Sequence, residues 1–203
     1  MNQIVDSYDV SSTRQKILMA GFHEMYQHGY QGMRIEAVLT ATGLAKGALY
    51  HHFPNKVSLA YAIVDEILYE HSKQQFDLNF AQFDDPIEGI CSILMSCGSE
   101  LDEAEIALGC PVNNLVQEMS GLDEGFQSRL RNIYSSWTDS LAEKLDDGVR
   151  LGLVKSDIDI QAMAVFIVCS LQGISGMAKC MQSKALLQQQ QTVLCDFIQS
   201  LRC

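Results

Sequence analysis

The densest run of hydrogen-bond donors lies between Gly43 and Lys56, which reads Gly-Leu-Ala-Lys-Gly-Ala-Leu-Tyr-His-His-Phe-Pro-Asn-Lys. Lys46, Tyr50, His51 and Lys56 place ammonium, phenol and imidazole donors on a segment short enough to enter a DNA major groove by its N-terminal end. Such donors reach phosphate oxygens and base edges, a chemistry of binding rather than of bond breaking. His51 and His52 do not form a metal pair, because adjacent helical side chains point about 100° apart and no acidic partner stands near them. No Gly-x-Ser-x-Gly, glycine-rich phosphate loop or His-Glu-x-x-His is present, so neither an enzyme nor a cofactor is expected.

The charge distribution supports a binding head. The net charge is −11, yet between Thr13 and Lys56 five basic residues (Arg14, Lys16, Arg34, Lys46, Lys56) face only Glu24 and Glu36. The rest of the chain holds nine basic and 23 acidic residues, and all five histidines fall within the first 71 residues. A basic head on an acidic body implies two tasks in one chain. With 203 residues and 47% hydrophobic content, a sizeable core is available. No run of 18 apolar residues occurs and Met1 to Asp9 is polar and acidic, so no membrane span or signal peptide is expected and the location is read as cytoplasmic. Seven cysteines without a Cys-x-x-Cys pair read as reduced thiols.

The elements that must position these residues are helical throughout. Ile17, Gly21 and Met25 recur every four residues, as do Leu18, Phe22 and Tyr26, in a helix starting near Ser12 and stopped by Gly29. A second runs from about Arg34 to Thr42, a third from Leu44 to Phe53, and Asn55 caps a fourth bearing Leu59, Ile63, Val64, Ile67 and Leu68. Two short helices joined at Gly43, with another packed across them, make a helix-turn-helix. Asp85-Pro86-Ile87-Glu88 starts another helix, and helices are expected over 86–103, 111–119, 122–151, 160–182 and 185–201. Gln188 to Gln191 reads as a solvated turn.

The stretch from Gly43 to Lys56, with Gly29-Tyr30-Gln31-Gly32 and Thr13-Arg14 before it, closely resembles the DNA-binding signature of TetR-type transcriptional repressors. The Lys-Gly-x-x-Tyr-x-x-Phe-x-x-Lys spacing is matched at every fixed position, whereas Met33 and Ala45 replace hydroxyl residues that usually cap the second and third helices. The resemblance implies an all-α fold: an N-terminal three-helix helix-turn-helix domain over 1–56, and a C-terminal ligand-binding and dimerisation domain over 57–203, with the fourth helix linking them. It assigns Arg34, Lys46, Gly47, Ala48, Tyr50, His51 and Lys56 to DNA: Tyr50, His51 and Lys56 largely to phosphates, Lys46 and the surroundings of Ala48 nearer base edges. Gly47 permits close approach to the duplex, and Leu49 and Phe53 face the core. The implied function is a transcriptional repressor, a homodimer released from a palindromic double-stranded DNA operator by a small-molecule effector; a helical adaptor without DNA binding explains the body but not the basic head.

In the body, Ala162, Phe166, Cys169, Gly173, Gly176 and Cys180 form a seam of mostly small residues, and Met163, Ile167, Ile174, Met177 and Met181 cover another face of the same helix. The last helix adds Leu187, Leu194, Phe197, Ile198 and Leu201. The resemblance places these two helices in a dimer bundle, with the seam as a close contact across a two-fold axis. The alternative is that both stripes are monomer core. Inward faces suggest Ile90, Leu94, Phe126, Leu130, Tyr134, Trp137 and Phe166 as an effector pocket wall, and the family resemblance adds Cys110 beside it. Gly109-Cys110-Pro111 resembles the Gly-Cys motif of a TetR branch that includes electrophile- and oxidant-sensing repressors, in which a lysine matching Lys179 lies near the cysteine. That implies a reactive thiol; the other reading of Cys110 is packing. Cys91, Cys97, Cys169, Cys180 and Cys195 are read as packing residues and Cys203 as an exposed tail.

Overall fold

The computed structural model describes residues 11–98 and 101–203. In chain order the helices are α1 (Thr13–Gly32), α2 (Ile35–Thr42), α3 (Lys46–His52) and α4 (Lys56–Ala62), then a π-helical segment Ile63–Tyr69 and α5 (Glu70–Phe80). They continue as α6 (Pro86–Ser96), α7 (Glu103–Leu108), α8 (Pro111–Met119), α9 (Glu124–Arg150), α10 (Ile160–Met181) and α11 (Lys184–Gln199). Among the described residues extended pairing is limited to one isolated bridge, Val154 with Arg202.

Local chemistry sets most of these boundaries. Ser12 accepts from the Gln15 N–H at the start of α1, and Asn55 and Ser58 cap each other's backbone N–H groups at the start of α4. Asp85, Asp102, Asp159 and Ser183 cap α6, α7, α10 and α11 in the same way. Gly29 takes φ 73° and ψ 171°, which interrupts the helical conformation of α1 at the expected place although hydrogen bonding carries the element to Gly32. Arg34, not Met33, occupies the N-cap of α2, while Met33 is buried; neither Arg34 nor Ala45, the N-cap of α3, supplies a side-chain capping bond.

The chain packs as two compact units, and their division differs from a boundary at residue 56. One unit holds the residues up to His71 together with Pro111–Arg131; the other holds Ser72–Cys110 and Asn132–Cys203. The helix-turn-helix therefore shares its unit with α4, the π-helical segment, α8 and the first turns of α9. Periodicity alone does not report this, because the returning segment is separated from the head by some forty residues of sequence.

In the first unit Ile17, Leu18, Phe22, Met25, Val38, Leu49 and Phe53 are buried with Leu59, Ile63, Val64, Ile67 and Leu68. Burying each such side chain is worth about 1.5–3 kcal/mol, so this cluster holds α1 to α4 together. The fourth helix was expected to be regular. The wider π turns from Ile63 to Tyr69 instead keep Ile63, Val64, Ile67 and Leu68 all inward.

In the second unit α11 packs on α6 and α10, and Ile106, Ala178 and Leu187 form a small core with Leu101, Ile174 and Leu186. Two expectations are corrected here. The helix expected over 86–103 stops at Ser96, and Gly98 turns the chain at φ 100°; residues 99–100 lie outside the described residues. Gln191 is not a solvated turn residue but is buried, and its Nε2 donates to the carbonyls of Leu94 (2.8 Å) and Cys97. Those two carbonyls are left open where α6 ends, so a glutamine there satisfies groups the helix cannot.

Candidate nucleic-acid interface

Two anchors fix α3. Leu49 and Phe53 are buried on its inner side, and the Arg14 guanidinium lies over the Phe53 ring at 5.0 Å. Arg14 also pairs with both Glu66 oxygens at 2.6 Å, which raises its own pKa further and makes it a tie between α1 and the π-helical segment. With the inner side held, Lys46, Gly47, Tyr50 and His51 are exposed, as is Arg34 before α2; Ala48 is half-buried. The Lys46 ammonium stands 5.8 Å from the Tyr50 ring. A Cβ built on Gly47 meets no described atom within 4 Å, so internal packing does not account for the glycine.

Lys56 is placed differently from the other donors. Its Nζ donates to the Gln31 carbonyl at 3.1 Å and sits 4.8 Å from the centre of the Tyr30 ring. An ammonium has three donors, so this bond ties α4 to the end of α1 and leaves capacity for a phosphate.

Sequence reasoning missed the group that steadies the same corner. The Glu118 carboxylate on α8 accepts from the backbone N–H groups of Tyr30 (2.9 Å) and Gln31 (2.8 Å). A Cβ on Gly29 would lie 2.7 Å from a Glu118 oxygen, so the glycine serves both its backbone angle and the approach of the carboxylate. Beside it, the Phe126 ring packs on Tyr30 (4.8 Å) and Tyr61 (5.2 Å). The Tyr61 hydroxyl donates to Asp123 at 2.6 Å, and Arg129 covers the Tyr61 ring at 4.0 Å while pairing with Asp65 at 2.8 Å. The Tyr61 hydroxyl and the Phe126 N–H hold the Asp123 carboxyl below its ordinary range. Partners 62 and 88 residues apart leave no spacing signal; the one hint was glycine at position 29.

The residues expected at the pocket wall divide between the two units. Phe126 and Leu130 are fully buried within the first unit, Phe126 against the two tyrosines. Phe166 is 49% exposed and packs on Phe197 at 5.4 Å, so it lies on an open face rather than an enclosed wall. The remaining candidates stay in the second unit: Ile90 and Leu94 are buried, and Trp137 stacks on Phe76 and meets Tyr134. The indole N–H of Trp137 is buried without a hydrogen-bond partner among the described residues. Burial, followed by the Cys110 and Cys169 thiols, pushes the Tyr134 phenol upward. Lys179 lies along Gly109, next to Cys110: a Cβ on Gly109 would be 2.7 Å from Lys179 Cδ.

The seam on α10 emerges as an open face, with a revised membership. Ala162, Phe166, Cys169, Gly173 and Cys180 are exposed, joined by Val165, Met177 (58% exposed) and Met181; Gly176 is half-buried. Ala164, Ile167, Val168 and Ala178 form the buried face. On α11 only Phe197 of the expected interface residues is exposed, whereas Leu194 and Leu201 are buried within the chain. By length and composition α10 is apolar enough to cross a membrane, with a mean hydropathy of 1.6 over 18 residues.

Comparison with known proteins places both halves. Residues 17–63 match the family described as bacterial regulatory proteins, tetR family, and residues 86–194 match the tetracyclin repressor-like C-terminal domain. An HTH-type transcriptional regulator from the lacX 3' region of Lactococcus lactis subsp. lactis is 29% identical over 184 residues, covering 91% of this chain and 92% of that protein. The HTH-type transcriptional regulator LmrA of Bacillus subtilis is 31% identical over 134 residues, or 66% of this chain and 71% of that one. Among solved structures, a TetR transcriptional regulator from Chloroflexus aurantiacus superposes with TM-score 0.83 at 22% identity over 100% of this chain and 98% of that one. The reduced form of NemR from E. coli does so with TM-score 0.81 at 18% identity over 95% and 98%. The α10 helix lies inside the matched C-terminal domain, and its apolar face is part of that fold. With both of its halves matched, the chain belongs to the TetR family of bacterial transcriptional regulators.

Proposed function

We propose that the protein is a cytoplasmic repressor that binds a palindromic operator as a homodimer and leaves it when a small molecule occupies the second unit. One observation carries the DNA reading: Leu49 and Phe53 are buried on the inner side of α3 while Lys46, Tyr50 and His51, like Arg34 at the start of α2, are exposed to solvent. Tyr50, His51 and Lys56 position the helix on phosphates, and Lys46 beside Ala48 reads base edges. Two such heads, held about one helical turn apart, require a dimer. The exposed Phe166, Cys169, Gly173 and Met177 supply an apolar face for it.

For the effector, the supporting observation is the buried, unpartnered indole N–H of Trp137 among Phe76 and Tyr134. A buried donor without a partner costs about 1–3 kcal/mol, and a ligand acceptor recovers it. The effector class is an apolar molecule carrying a hydrogen-bond acceptor. Cys110 beside Lys179 supports a second reading in which the effector is an electrophile captured by that thiol. The test is a panel of ligands and electrophiles screened for release of operator DNA selected from genomic fragments. Trp137→Phe is expected to abolish release by the noncovalent effector. Release by N-ethylmaleimide that is lost in Cys110→Ser supports the thiol reading, and salt-insensitive binding to all DNA overturns the repressor reading.

A further inference from the structure

Cys91 on α6 and Cys195 on α11 are 104 residues apart in sequence and side by side in the fold. The Cys91 Sγ lies 3.9 Å from the Cys195 carbonyl oxygen, and the Cys195 Sγ lies 3.8 Å from the Cys91 carbonyl oxygen. Gln199 directs its Nε2 at the Cys91 sulfur from 3.8 Å. Cys91 is half-buried beside the exposed Gln199, while Cys195 is buried. No other two cysteines share such reciprocal sulfur-to-carbonyl contacts among the described contacts.

We propose that Cys91 and Cys195 are an oxidisable dithiol that closes to a disulfide between α6 and α11, Cys91 attacking and Cys195 resolving. The two sulfurs are unequal. The Cys195 S–H lowers the Cys91 thiol against the opposing effect of burial; the Gln199 amide and the Arg202 cation add to the lowering, and Asp196 opposes it. Cys195 is pushed up by its bond to Cys91, by burial and by the charges of Cys91 and Asp196. The side that solvent reaches is thus the side where thiolate is favoured, and the thiolate is the nucleophile.

The oxidant is a hydroperoxide. The Cys91 thiolate attacks its terminal oxygen, the O–O bond breaks, and the departing alkoxide or hydroxide takes up a proton, leaving a sulfenic acid. The Cys195 sulfur then attacks Cys91 Sγ, the S–OH bond breaks, and the hydroxide leaves as water with the Cys195 proton. Two thiols and one hydroperoxide give one disulfide, one alcohol or water, and one further water. An external thiol reverses the bridge by exchange. Closure fixes α11 to α6, and α11 carries Phe197 on its open face. The chemistry is independent of whether the head binds DNA.

The test treats the reduced full chain with hydrogen peroxide under native conditions, blocks the remaining thiols and maps peptides by mass without reduction. The expected result is a peptide linking Cys91 to Cys195 and the loss of two of the seven thiols. In Cys195→Ser, dimedone is expected to trap a sulfenic acid at Cys91; in Cys91→Ser, Cys195 stays reduced. Should either variant misfold, native alkylation of the wild type decides: Cys91 reacts with iodoacetamide at least about tenfold faster than Cys195, and about threefold slower in Gln199→Leu. Cys91 and Cys195 both intact while another cysteine consumes the peroxide, or equal alkylation of the two, overturns the proposal.

Discussion

Among the described residues, two of the open surfaces are opposites. On α3 every large apolar side chain is turned inward and the outside is ammonium, phenol and imidazole; on α10 the outside is Phe166, Val165, Met177 and Met181. A cationic face is stable in water by itself and waits for an anion. An apolar face of that extent is not, because it forgoes the benefit of burial until a second surface covers it. On the proposed function, the first surface is the one that binds conditionally and the second the one that pairs.

The comparison breaks first at α10. Gly173→Glu sets a charge into the open face, and monomers are expected in sedimentation, with operator affinity falling about a hundredfold or more because the second head is no longer tethered. A dimer that survives this change puts the pairing surface elsewhere. The α3 side responds more gently: Tyr50→Ala and Lys56→Ala are each expected to weaken binding to specific and random DNA alike and to reduce the salt slope by about one. An unchanged slope removes that side chain from the phosphate contacts.

Smaller effects sharpen the contrast inside the first unit. Glu118→Ala leaves the Tyr30 and Gln31 N–H groups without their acceptor and is expected to lower thermal stability by about 1–3 kcal/mol while the dimer persists. Asp123 has a lowered folded pKa, so it stabilises the fold above the ordinary carboxylate pKa and loses that contribution as pH falls through the folded value. Asp123→Asn is expected to flatten the acid limb of the stability profile below about pH 4. His71 is smaller still and runs in the same direction at higher pH. Burial lowers its pKa, so the unfolded chain binds the proton more readily and stability falls as pH drops through about 6.5. Replacing His71 by Gln is expected to remove that slope in thermal melts between pH 5 and pH 7.

What the sequence made legible follows the same division. The head is built from contacts close in sequence, so spacing located α1, α2 and α3, the burial of Leu49 and Phe53, and the exposed donors. The bounds expected for α8, 111–119, match the observed Pro111–Met119. Long-range choices were not legible. Whether a given face of α10 meets its own chain or is left open depends on α7 and α11, and so the exposure of Met177 and Met181 and the burial of Leu194 and Leu201 were not readable from spacing. Phe126 was drawn to the pocket for a related reason: being inward on a helix does not say which interior the helix enters.

The Glu118 contact bears on how such proteins can be recombined. Chimeric regulators are made by cutting between a reading head and a sensing body, and a cut after residue 56 looks natural from the sequence. That cut would leave the carboxylate holding the N–H groups of Tyr30 and Gln31 on the discarded piece, together with the Phe126 ring beneath Tyr30. A transplanted head would then meet whatever residue its new host carries at that station, and only an acidic one opposite a glycine equivalent to Gly29 would seat it. The transferable cassette is discontinuous: residues up to His71 travel with Pro111–Arg131 or arrive incomplete.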